Sequence, residues 1–130
     1  MIRITRILVT EHEKTLREMY AAVLKEDGYD VLIARDCAEA LAMNEIHHPD
    51  IVVMDPAEES RGIEIACEFT RTNRRVQVVF NTGDSYGIGR DFAAWVADAV
   101  AEKGADASQL RSTLRVLAGG PHTRVGRQPR

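Results

Sequence analysis

The sequence predicts a single α/β domain: a doubly wound, five-stranded parallel sheet with helices on both faces. Three observations lead there. Short apolar runs of strand length alternate five times with segments of helical period, the connections are a few residues long, and 130 residues that are 45% hydrophobic suffice for one core but leave no room for a second domain.

Residues 4–9 read as the first strand, ending in Ile7-Leu8-Val9 ahead of the polar Thr10-Glu11-His12-Glu13. Leu16, Met19, Tyr20, Val23 and Leu24 then recur every three or four positions, one face of an α-helix that Gly28 can terminate. Val31 to Ala34 is a short buried strand. Asp36 and Glu39 are spaced as a capping box for a second helix through about Ile46, which Pro49 closes. Ile51-Val52-Val53-Met54 is apolar throughout, as a strand covered on both faces must be, and runs straight into Asp55. A third helix follows Gly62, with Ile63, Ala66 and Phe69 toward the sheet, and residues 76–80 form a fourth strand ending at Asn81-Thr82-Gly83. Gly87 and Gly89 disfavour helix before about 90–97, where Phe92 and Trp95 would pack a fourth helix. A strand at 99–101 leads to Lys103. Ser108 is positioned to cap a last helix carrying Leu110, Leu114 and Leu117, which ends at Gly119-Gly120-Pro121.

Charge divides the chain in two. Residues 119–130 hold Arg124, Arg127 and Arg130 and no acid, and read as a disordered basic tail behind a domain at 1–118. The other 14 basic residues face all 20 acids, so the domain is acidic and has no basic stripe for a phosphate backbone; direct nucleic-acid binding is not expected. No run approaches the roughly 18 apolar residues of a membrane span and no signal peptide is recognisable, which predicts a cytoplasmic protein. Cys37 and Cys67 lack ligand spacing and read as reduced packing residues. His47-His48 closes the second helix and reads as structural.

In a parallel sheet of this kind ligands bind at the carboxyl ends of the strands. That rule gathers Glu11 and His12 after the first strand, Asp55 after the third, Thr82 at the end of the fourth and Lys103 after the fifth. Two acids, an imidazole, a hydroxyl and an ammonium at one edge suit phosphoryl chemistry. A flavin or dinucleotide enzyme would instead need a glycine- or hydroxyl-rich loop after the first strand, where Thr10-Glu11-His12-Glu13-Lys14 offers carboxylates that repel phosphate.

Over residues 5–118 these motifs, with Gly28-Tyr29-Asp30-Val31, Ala40-Leu41, Pro49-Asp50, Thr82-Gly83 and Ala97-Asp98-Ala99, resemble the receiver domain of two-component response regulators. The resemblance implies the flavodoxin-like receiver fold with sheet order 2-1-3-4-5. It implies a single-domain response regulator rather than an enzyme, with at most self-phosphorylation and autodephosphorylation. Asp55 would accept a phosphoryl group from a sensor histidine kinase or phosphotransfer protein, and a downstream protein would read the changed surface; monomer or homodimer is left open. Thr82 and Lys103 match the hydroxyl and ammonium that follow the phosphoryl oxygens. Mg²⁺ would be held by Asp55, the acidic pair after the first strand (Glu11 with His12) and the backbone carbonyl of Ala57.

Several positions depart from that pattern. His12 stands where a metal-binding carboxylate is expected, so Mg²⁺ binding should be weak. Val100 replaces the switching aromatic residue, Gly104 replaces a proline, and the loop from Asp55 to Gly62, with Pro56 behind the acceptor, is one residue shorter. His12 has three readings: a plain surface residue, an ion-pair partner of Asp55, or a transition-metal ligand. Glu58 and Glu59 are either solvated or able to draw Lys103 away from Asp55. The alternative function is a pseudo-receiver, an interaction module that kept the fold without phosphorylation.

Overall fold

The computed structural model describes residues 3–58, 61–83, 96–104 and 106–119. Along them run β1 (Arg6–Thr10), α1 (Lys14–Glu26), β2 (Asp30–Ala34), α2 (Cys37–His47), β3 (Ile51–Met54), a 3-10 turn (Pro56–Glu58), α3 (Gly62–Thr72), β4 (Gln77–Thr82), β5 (Ala99–Glu102) and α4 (Ser108–Leu117). The helix expected over about 90–97 falls almost wholly outside the described residues, as do Phe92, Trp95, Glu59 and the tail from 120.

All strand pairs are parallel, in the order β2-β1-β3-β4-β5, the order the resemblance implies. Alternation along each strand divides the core between the two faces of the sheet. Leu8, Val52, Met54, Val78 and Phe80 pack with Ala40 of α2 and with Ala66 and Phe69 of α3. Ile7, Val9, Ile51, Val53 and Val79 pack with Tyr20 and Leu24 of α1 and with Leu110 and Leu114 of α4. Because β1, β3 and β4 are covered on both sides, every residue of β3 is buried, which is why that strand has no polar alternation.

Local chemistry sets the helix ends. The Glu13 carboxylate accepts the Thr15 and Leu16 amides at the start of α1, and these bonds, Leu16 first, hold its pKa below the usual range. Asp36 Oδ1 accepts the Glu39 amide at 2.8 Å, as its spacing predicts. Gly28 takes the left-handed backbone after α1, φ 96°. At the start of α4 the sequence expectation is corrected. Ser108 is the first helical residue, not the cap, and its amide donates to Asp106 Oδ1 at 3.0 Å. Strand bounds move too: β1 begins at Arg6, leaving Ile4 exposed, and β4 extends to Thr82.

Cys37 is buried as expected, whereas Cys67 is exposed, correcting its reading as a packing residue. One residue past Ala66 on the buried stripe of α3 turns a side chain by about 100° and points it off the sheet. Asn44 and Asn73 form a buried link, Nδ2 of Asn73 donating to Asn44 Oδ1 at 3.1 Å and to the Pro49 carbonyl at 3.0 Å. This ties α2 and the end of α3 to the chain entering β3, and so fixes the strand that carries Asp55.

Candidate functional site

Parallel register brings the strand ends to one edge. Val9 pairs with Val53, Met54 with Phe80, and Thr82 with Glu102, so Glu11, Asp55, Thr82 and Lys103 all emerge there. The acid at the other end of β3, Asp50, serves the backbone instead: it accepts the Arg6 amide at 2.8 Å and an Arg3 guanidinium N–H at 2.6 Å.

Lys103 organises the edge. Its side chain is only 16% exposed, and the ammonium lies 3.0 Å from Asp55 Oδ2, 3.1 Å from Glu11 Oε1 and 2.9 Å from Glu58 Oε1. Burial is the largest single influence and lowers the Lys103 pKa, but the bonds to Glu58, Asp55 and Glu11 together outweigh it, so the net displacement is upward. The amine is therefore a fixed cation. Asp55 is itself buried. Its Oδ1 accepts the Ala57 amide at 2.9 Å, so each carboxylate oxygen has a partner and the carboxylate plane is set.

Thr82 is fully buried at the end of β4, and its carbonyl accepts the Lys103 amide at 3.1 Å. The backbone thus ties the residue of the candidate hydroxyl to that of the candidate ammonium. Beside them, the buried Tyr20 hydroxyl is hydrogen-bonded to Asn81; burial raises its pKa, against the opposing pull of that bond.

Of the three sequence readings of His12, the structure corrects the ion pair with Asp55. Nδ1 lies 2.7 Å from Glu58 Oε2 and 3.6 Å from Glu11 Oε2, so its acidic neighbours are Glu58 and Glu11, where the ion-pair reading had placed Asp55. Glu58 does reach Lys103, as one reading of it allowed, yet Lys103 keeps its contact with Asp55. The signal that places Glu58 was present in the sequence. Pro56 starts a 3-10 turn in which the Glu58 amide donates to the Asp55 carbonyl at 3.2 Å, and residues three apart in such a turn stack on one side. The Arg17 guanidinium was missed. It donates to the carbonyls of Glu11 at 3.0 Å and His12 at 3.3 Å and pins the loop after β1.

A cleft of about 230 Å³ opens beside these groups, between Glu11 and His12, Asp55 and Glu58, and the start of α2 at Arg35 to Cys37, with Thr10 also on its wall.

Fold and edge together define a class, the receiver domains, and the comparisons agree. The response regulator receiver domain family matches residues 7–115, and the chain belongs to that family. It is a receiver domain of two-component signalling, a family of phosphoacceptors rather than enzymes in their own right.

Among curated relatives, the transcriptional regulatory protein PdtaR of Mycobacterium tuberculosis is 40% identical over 65 residues, 48% of this chain and 32% of that protein. The DNA-binding response regulator MtrA of Mycolicibacterium smegmatis is 32% identical over 78 residues, 59% of this chain and 34% of that protein. The chain spans about a third of the length of these relatives. Among solved structures, the response regulator TrrA of Thermotoga maritima in complex with Mg²⁺–BeF is 26% identical with a TM-score of 0.77, covering 88% of this chain and 99% of that one. TrrA is also known in complex with the histidine kinase ThkA. The chemotaxis protein CheY4 of Vibrio cholerae has the same fold at 20% identity and a TM-score of 0.77, covering 88% of this chain and 98% of that one.

Receiver domains typically bind Mg²⁺, and the donors of this chain fit that ion poorly. Mg²⁺ demands near-octahedral oxygen ligation. Here Glu11 Oε1 and Asp55 Oδ2 are both bonded to Lys103, Asp55 Oδ1 is held by the Ala57 amide, and the residue after Glu11 offers an imidazole nitrogen. No described helix is long and apolar enough to cross a bilayer.

Proposed function

We propose that this domain is a phosphoacceptor switch in which Asp55 takes a phosphoryl group from the phosphohistidine of a sensor kinase or phosphotransfer protein. The observation that carries the reading is the buried Asp55 carboxylate at the end of β3 with the Lys103 ammonium 3.0 Å from Oδ2. In the transfer, an Asp55 oxygen forms a bond to phosphorus as the donor's N–P bond breaks, and the departing imidazole takes up a proton. Positioning and charge neutralisation supply most of the catalysis in such a step. Lys103 follows the charge from the carboxylate to the new phosphoryl oxygens, and its raised pKa keeps it charged while it does so. Thr82, whose carbonyl accepts the Lys103 amide, supplies the hydroxyl that would donate to one of those oxygens. Mg²⁺ would assist only weakly, and a partner protein would read the altered surface.

One observation favours a second reading, a pseudo-receiver that binds partners without phosphorylation. Glu11, Asp55 and Glu58 all share the one Lys103 ammonium, a closed set of contacts that an incoming phosphoryl group would have to break. The test is incubation with acetyl phosphate and Mg²⁺, followed by intact-mass and peptide mass spectrometry. The switch requires a phosphoryl adduct on Asp55 that is absent from Asp55→Asn. No adduct with any donor would leave the pseudo-receiver.

A further inference from the structure

The cleft beside Asp55 also holds a mixed donor set, Glu11, His12 and Glu58, that leaves the acceptor itself out. Glu11 and Glu58 each spend one carboxylate oxygen on Lys103, the Oε1 atoms lying 3.1 and 2.9 Å from Nζ; Glu58 Oε2 lies 2.7 Å from His12 Nδ1, and Glu11 Oε2 accepts the Glu13 amide at 3.0 Å while lying 3.6 Å from Nδ1 with a lone pair to spare. One carboxylate oxygen from each glutamate and one imidazole nitrogen of His12 lie within 4.8 Å of one another. Ligand atoms about 2.0–2.2 Å from a common, tetrahedrally bound zinc-sized ion stand about 3.4 Å apart, and the observed separations from Nδ1 lie on either side of that value.

We propose that Glu11, His12 and Glu58 form a site for a first-row transition-metal dication, zinc being the reference ion, on the His12 side of the cleft, with Lys103 and Asp55 undisturbed behind it. The proposal goes beyond the phosphoacceptor reading and does not depend on it.

Three observations support it. One imidazole with two carboxylates is a mixed nitrogen and oxygen set, which favours zinc and its neighbours over Mg²⁺. Three carboxylates surround one ammonium, so these four groups carry an excess of two negative charges for a dication to balance. A third, independent sign comes from the residue before Glu11. Thr10 borders the same cleft, and its Oγ1 is buried with no hydrogen-bond partner among the described residues. Burying a hydroxyl unsatisfied is costly, and a water carried by a metal ion in the cleft is the partner it lacks. His12 is well suited to exchange, because its side chain is 64% exposed and the metal would replace its contact with Glu58 without opening the core.

The test is calorimetric titration of the full chain with Zn²⁺, without phosphodonor, beside titration with Mg²⁺. A site of one zinc per chain is expected, preferred over Mg²⁺. His12→Ala and Glu58→Gln should each weaken it roughly tenfold or more, since even outer-shell changes at metal sites cost that much, and Thr10→Val should weaken it by a smaller factor. Circular dichroism verifies that each variant is folded. Substituting Co²⁺, the paramagnetic shifts of amide resonances should centre on Glu11, His12 and Glu58. Unchanged zinc affinity in His12→Ala, or shifts centred on His47-His48 or on the exposed Cys67, would overturn the proposal. Because binding is read without phosphorylation, a chain that takes zinc but never carries a phosphoryl adduct loses the phosphoacceptor reading and keeps this one.

Discussion

Glu58 Oε1 lies 2.9 Å from Lys103 Nζ, so the ammonium that faces Asp55 is divided between two carboxylates from one turn of chain. An incoming phosphoryl group must compete with Glu58 for that cation and approach past its charge. Removing one such charge from a partly solvated site is worth about 1 kcal/mol, or about fivefold in rate. Glu58→Gln is therefore expected to accept phosphate from acetyl phosphate several-fold faster, in Mg²⁺ buffer stripped of transition metals. Adduct formation followed by mass spectrometry measures it, and an equal or slower rate would show that Glu58 does not restrain Lys103.

His12 is expected to disfavour Mg²⁺. Replacing its imidazole with a carboxylate returns a hard oxygen and a negative charge beside Glu11, so His12→Asp should bind Mg²⁺ at least about tenfold more tightly. The contacts of Arg17 to this loop are to backbone carbonyls and survive the change. Amide shifts during Mg²⁺ titration would report the affinity, and equal constants for the two proteins would refute the role given to His12.

A structural ion pair links α1 to α4 far along the chain. Arg111 grips Asp27 through both carboxylate oxygens, Nε to Oδ2 at 2.8 Å and an Nη to Oδ1 at 2.7 Å, and this bond lowers the Asp27 pKa. A carboxyl depressed in the folded state stabilises the fold above its ordinary pKa and loses that contribution as pH falls through its folded value. Asp27→Asn should thus melt at a lower temperature than the parent at pH 7, with the gap closing as pH drops below the carboxylate range. Parallel melting curves at every pH would exclude the pair as a source of stability.

Most of the fold was legible because its signals are local. The continuous apolar run at Ile51 to Met54 marks a strand buried on both faces, and the strand-end rule then places Asp55, Glu11, Thr82 and Lys103 at one edge without coordinates. The partners of those residues were less legible. The contact between His12 and Glu58 joins positions 46 residues apart, and no periodicity encodes it; it depends on Pro56 starting a tight turn that lifts Glu58 over the acceptor. Cys67 and Ser108 were misplaced for a smaller reason: a shift of one residue on a helix changes the face or the cap, and sequence signals fix helix starts only to within a residue or two.

The turn that carries Glu58 is itself held by close packing against Gly62. A Cβ built at Gly62 would fall 2.6 Å from Pro56 Cα and inside contact distance of the Pro56 carbonyl. These are backbone atoms, which cannot rotate away as a side chain would. At an unobstructed first helical position, Gly→Ala stabilises by about 0.4–1 kcal/mol through the unfolded chain and helix propensity. Overpacking acts in the other direction and typically costs about 1–3 kcal/mol, so the sign of the change separates the two cases. Gly62→Ala is expected to lower the melting temperature by several degrees, and to push Pro56 outward so that Glu58 loosens its hold on Lys103. Thermal denaturation followed by circular dichroism decides the first part. A melting temperature equal to or above that of the parent would mean that the turn yields freely, and Gly62 would then have no part in positioning Glu58.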